Sequence, residues 1–206
     1  MKSRNWVRLF ISTLFFGGLA TGLTGIIVRW SDYRGFLEIG DFGEFISAFM
    51  WLFGLGLLFS IVSQMGFFAY LFVHRFGLAI FRSMWSSVQV VLIVFVLFDL
   101  IYFRYQAFAT EAETILHYVW PAAVVLLFGL LIAYMKANQT NQKAFIPALF
   151  FMTVVTILEW VPVLRVNESD WLYFMLVPLL VCNAYQLLLL HKLNTSTKNN
   201  KVSVTA

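Results

Sequence analysis

The sequence predicts an all-α, polytopic integral membrane protein of six transmembrane helices with both termini in the cytoplasm. Three observations carry that fold class. Of 206 residues, 61% are hydrophobic and only 12% are charged, whereas soluble domains carry about a quarter charged residues; the mean hydropathy is +0.84. Apolar stretches near the roughly 20 residues that a bilayer-crossing helix needs recur along the chain. Lys and Arg fall mainly on one side of those stretches, which sets the orientation.

The first apolar segment, 9–28, follows a basic start at Lys2, Arg4 and Arg8. That arrangement also fits a signal peptide, with Ala20-Thr21-Gly22 as a poor cleavage site, but the run outlasts a typical signal core and is expected to be retained. The second, 45–73, exceeds one crossing by about a third. It is either one long tilted helix or a helix that breaks near Gly66 and follows the interface. The third, fourth, fifth and sixth segments are 83–103, 115–135, 144–164 and 171–190. Together they make one membrane domain over 1–190. The tail, 191–206, is rich in Lys, Asn, Ser and Thr and is expected to be disordered.

With the N-terminus inside, ten of the fourteen Lys and Arg residues are cytoplasmic, leaving Arg29, Arg34, Arg104 and Arg165 outside. The carboxylates, Glu111 and Glu113 among them, all fall on or toward the outside. Trp6 and Trp85 fall near the inner interface, and Trp30, Trp120, Trp160 and Trp171 near the outer one. An aromatic belt is the expected reading, because an indole is apolar except for an N–H that wants a polar partner. The net charge of +4 is spread by membrane side and does not suggest nucleic acid. Cys182, the single cysteine, excludes an internal disulfide and reads as a small packing residue.

Several constellations stand out. Gly18, Gly22 and Gly25 give the first helix a smooth groove, used either for packing inside the molecule or for a partner or dimer contact. Ser60, Ser63 and Gln64 share one helix face and Arg82, Ser86 and Gln89 another. If the two helices are antiparallel neighbours, Gln64 and Gln89 can hydrogen-bond; such a polar stripe serves as structural glue or lines a cavity. Asp99 and Glu159 sit four or five residues inside the outer ends of their helices. Either they reach the interface and pair with Arg104 and Arg165, or they form a proton or cation site. Pro162 is expected to end or kink the helix that carries Glu159.

Signals for catalysis do not assemble. His74, His117 and His191 are scattered, with no two-His or two-Cys ligand spacing, no phosphate-binding glycine loop and no nucleophile elbow. The chain is therefore expected not to be an enzyme and to need no cofactor or metal.

The stretch 63–82 joins the second and third segments and holds five of the 23 Phe residues. Its cations, His74, Arg75 and Arg82, have no acid nearby. Phe72, His74, Arg75, Phe76 and Arg82 are candidates either for anchoring at the interface or for contact with a membrane partner, since Phe and Arg are frequent in interface hot spots. Ser63-Gln-Met-Gly-Phe-Phe-Ala-Tyr, His74-Arg-Phe-Gly, Ile80-Phe-Arg-Ser-Met-Trp85 and Val96-Leu-Phe-Asp-Leu-Ile-Tyr-Phe-Arg104 resemble the KinB-signalling-pathway activation family of spore-forming bacilli. So do Ser3-Arg-Asn-Trp and the glycine-rich first helix, and the likeness runs from residue 3 to about 190.

That resemblance implies a multi-pass regulator in the bacterial cell membrane. It implies help for a membrane sensor histidine kinase, KinB-like, that feeds the sporulation phosphorelay, and no catalytic residues. A second reading is a small membrane transporter or channel using Asp99 and Glu159, for which the two halves show no convincing repeat. Homo-oligomerisation is left open by the glycine groove.

Overall fold

The computed structural model describes residues 3–109, 114–166 and 168–202. Lys2, Glu111 and Glu113 from the charge count, and 203–206 of the tail, lie outside the described residues. The fold is all-α: α1 Ser3–Val28, α2 Trp30–Ile39, α3 Phe42–Phe81, α4 Trp85–Phe108, α5 Leu116–Gln139, α6 Phe145–Phe150, α7 Thr156–Val166 and α8 Ser169–Val202. Among the described residues, five stretches are long and apolar enough to cross a bilayer, and one of them, Phe42–Phe108, is 67 residues long.

That longest stretch settles the ambiguity at Gly66. α3 is one continuous helix of 40 residues, about 60 Å at 1.5 Å per residue, and it passes Gly66 without a break. Glycine serves there for close approach, because a Cβ at residue 66 would run into the Glu159 carboxylate. The helix also ends later than its apolar pattern suggests. A 3-10 turn, Arg82–Met84, then links it to α4.

The other differences have local causes. α2 was not anticipated, since it is short, carries several charges and buries nothing. Its signals are nonetheless in the sequence: Asp32 in the first turn, an Arg34–Glu38 pair one turn apart at 3.2 Å, and Gly40 at φ +80° closing the end with N–H bonds to Leu37 and Phe36 carbonyls. Pro162 neither ends nor interrupts α7, which runs on to Val166. The irregularity lies earlier, in a π turn over Phe151–Val155 between α6 and α7. α8 stays helical to Val202, where a disordered tail from 191 is expected; no Gly or Pro follows Pro178 to stop it.

Contacts group the chain into two compact units, where a single domain is expected over 1–190. One comprises residues 1–64 with 165–206, the other 65–164. In the first, α1 runs antiparallel to the first part of α3 and to α8. Gly18, Gly22 and Gly25 lie where added Cβ atoms would sit 2.6 Å from Phe53, Phe49 and Leu52. The glycine groove is thus filled from within the chain, the internal of its two readings.

In the second unit, α4 and α5 flank the α6–α7 helix, whose residues Phe150, Phe151, Met152, Ile157 and Trp160 are all buried. Trp160 is 1% exposed and Trp85 5%. Neither belongs to an aromatic belt, because the protein interior has taken both indoles. Trp30 and Trp120 remain exposed.

Candidate functional site

Residues 70–85 form a corner that closes on itself. In a straight helix His74 and Trp85 would be about 16 Å apart. Instead the Trp85 indole N–H donates to His74 Nδ1 at 3.1 Å. The reversal occurs at Arg82, whose φ of +48° is the one non-glycine positive value among the described residues. Such a backbone costs a side chain with a Cβ on the order of 1 kcal/mol, so the surrounding contacts must hold it.

Those contacts centre on Trp85. Its ring stacks on Phe81 at 5.8 Å, lies 6.2 Å from Phe150 and covers Gly77. Tyr70, one turn before His74 at 5.7 Å between rings, donates its hydroxyl to the Pro147 carbonyl at 3.0 Å. The hydrogen bond assigns His74 the neutral tautomer with its proton on Nε2, because Nδ1 accepts.

The five contact candidates therefore separate. His74 is half-buried and engaged by Trp85, whereas Phe72, Arg75, Phe76 and Arg82 are exposed. At 100° per residue, Tyr70, His74, Gly77 and Phe81 share the inward face of α3. Phe72, Arg75 and Phe76 all point away from it. Phe72 and Phe76 are each 65% exposed.

The polar stripe of the second segment goes elsewhere than expected. In the 1–64/165–206 unit, Ser63 donates to Asn183 Oδ1 at 2.7 Å and accepts from Gln186 Nε2 at 2.7 Å. Gln186 also donates to the Cys182 carbonyl at 3.2 Å. Ser60 donates to the Gly56 carbonyl at 2.8 Å and lies 3.5 Å from Cys182 Sγ, which is the packing role expected of that cysteine. The Gln64 amide reaches the Phe10 carbonyl at 3.5 Å. Gln89, 0% exposed on α4, has neither amide atom hydrogen-bonded among the described residues.

Asn183 and Gln186 were missed because an apolar run hides them. Their signal was two amides three residues apart in a membrane-length helix, which places both on one face. Replacing Ser63 by Ala and Asn183 by Leu, singly and together, is expected to show coupling of about 0.6–1.7 kcal/mol in thermal unfolding in detergent. Strictly additive losses would mean the bond contributes nothing.

Of the two acids, Glu159 is turned inward at 8% exposure and packs on Gly66. Asp99 is half-buried on α4. Arg104 is buried, with its guanidinium 5.5 Å from the centre of the Tyr118 ring, a geometry that favours a desolvated cation. Arg29, just past the end of α1, pairs with Asp170 in the first turn of α8 at 2.7 Å. The Asp170 hydrogen bond, opposed by burial, raises the Arg29 pKa above its ordinary value. Both side chains are well exposed, so this pair is worth little to stability.

The exposed part of the corner, apolar and cationic, is suited to recognition. Residues 17–193 match a family model described as KinB-signalling pathway activation in sporulation. A Bacillus subtilis (strain 168) protein named KinB-signaling pathway activation protein is 47% identical over 194 residues, covering 93% of this chain and 98% of its own. No solved structure matches.

Proposed function

Because the chain belongs to the family of KinB-signalling pathway activation proteins, we propose that it is a non-enzymatic integral membrane activator of a sensor histidine kinase that feeds the sporulation phosphorelay. It resides in the bacterial cell membrane and crosses it six times with both termini cytoplasmic. The reversal at Arg82 turns the 67-residue stretch into two crossings, and four more follow from the other apolar helices. An even number puts the termini on one side, and the Lys/Arg bias makes that side the cytoplasm.

The observation that carries the reading is the corner. Trp85, His74 and Gly77 hold it rigid while Phe72 and Phe76 stand exposed beside Arg75 and Arg82. A fixed aromatic pair next to cations is what an interface hot spot requires. The activator binds the membrane portion of the kinase there and shifts its equilibrium between inactive and active states, which needs tighter contact with the active one.

A photo-crosslinking residue at position 76 is expected to capture the kinase in cells, and one at Leu127, exposed on α5, is not. Phe72→Ala with Phe76→Ala is expected to lower kinase co-purification at least tenfold, the loss of about 1.4 kcal/mol or more. Equal adducts from both positions, or a sporulation defect in the deletion strain that does not depend on the kinase, would overturn the proposal.

A further inference from the structure

Two connections distant in sequence meet at one end of the 65–164 unit. The Tyr70–Pro147 hydrogen bond and the Trp85–Phe150 contact bring the α3–α4 corner beside the start of α6. The turn before α6, Gln142–Ala144, carries exposed Lys143. Arg75 and Arg82 are exposed on the corner, and Lys136, buried, closes α5 at the same end. No Asp or Glu occurs in 45–98 or in 114–158. This end therefore presents three exposed cations, and neither connection supplies a carboxylate.

Depth decides what such a surface meets. α4 has 24 residues, about 36 Å, against a hydrocarbon core of about 30 Å. Crossing the core thus leaves Trp85 near the interface. Gly77 is level with Trp85, since the indole covers it, and residues 78–84 project into the headgroup layer, some 5–7 Å deep. There Leu78, Ile80 and Met84 are 47%, 70% and 66% exposed, side by side with the arginines. Apolar groups and cations set together at the boundary between acyl chains and phosphates are the complement of an anionic phospholipid.

We propose that this end of the unit binds anionic phospholipid headgroups through Arg75, Arg82 and Lys143. The inference goes beyond kinase activation. It shares Arg75 and Arg82 with the contact surface proposed above but does not use Phe72 and Phe76.

The test uses the purified full chain in nanodiscs of equal phosphatidylglycerol and phosphatidylcholine, with lipids retained on release counted by native mass spectrometry. Wild type is expected to retain phosphatidylglycerol about tenfold over phosphatidylcholine. Arg75→Gln/Arg82→Gln/Lys143→Gln is expected to lose that preference, while Arg34→Gln, on α2, keeps it. Should the triple variant fail to fold, Lys143→Gln and Arg75→Gln singly are expected to show partial losses, with Arg75→Lys unchanged. Equal retention of both lipids by wild type, or full preference in the glutamine variants, would overturn the proposal. So would glutamine variants that lose only the kinase, because a protein would then be the occupant. Phe72→Ala/Phe76→Ala is expected to keep the lipid preference, so the two proposals fail separately.

Discussion

Gly56→Leu is expected to remove the folded protein from the membrane. A Cβ at residue 56 would sit 2.5 Å from the Gly17 carbonyl oxygen, 2.6 Å from Thr21 Oγ1 and 2.7 Å from Gly18 Cα. Two of those three atoms are backbone, so no rotamer change relieves the clash. α1 and α3 must separate, and the contacts of Gly18, Gly22 and Gly25 with Phe53, Phe49 and Leu52 go with them. Overpacking a site that can adjust costs about 1–3 kcal/mol. A forced helix separation belongs with the rarer changes above about 4 kcal/mol that unfold marginal proteins.

Gly54→Leu supplies the control, because nothing lies within 4 Å of a Cβ there. The same residue change two positions away in the same helix is expected to leave protein level and thermal midpoint nearly unchanged. Equal tolerance of both substitutions would show that α1 and α3 do not approach as described.

Gly77→Leu is expected to open the corner while the rest of the chain stays folded. The new side chain would occupy the space of the Trp85 indole, a rigid ring that cannot yield by a few tenths of an ångström. Expelling it breaks the bond to His74 and removes the ring contacts with Phe81 and Phe150. Loss of a buried tryptophan's packing typically costs about 3–5 kcal/mol.

Two readouts follow. A Cys placed at Ser83 is expected to react faster with a water-soluble maleimide, and kinase co-purification is expected to fall although Phe72 and Phe76 are untouched. Trp85→Phe separates packing from hydrogen bonding. It keeps a ring over Gly77 and forfeits only the N–H, for an expected loss of about 1 kcal/mol. Unchanged maleimide reactivity in Gly77→Leu would show that Trp85 does not hold the corner.

The legibility of this site was uneven for physical reasons. Phe72, Arg75, Phe76 and Arg82 were recognisable because a cationic, aromatic run without acids is a property of composition. The partner of His74 was not, since it depends on a reversal made by Arg82, a residue type with no preference for positive φ. Asn183 escaped because one amide in an apolar helix says nothing about which helix it faces. The same holds for Gln64 and Gln89: shared depth made their pairing plausible, but depth does not determine which faces meet.

By itself the sequence determined the all-α class and the apolar segments, because a lipid solvent demands long helices whose backbone groups are satisfied internally. Its quoted motifs also pointed to the family to which the chain belongs. Tertiary structure alone decided that α3 runs through Gly66, that Trp85 folds back on His74 and Gly77, that Trp160 and Glu159 face inward, and that the corner meets the turn before α6. Each of these depends on the rotation of a helix about its axis and on its neighbours. Where nearly every residue is apolar all round, no hydrophobic face is left in the sequence to set that rotation.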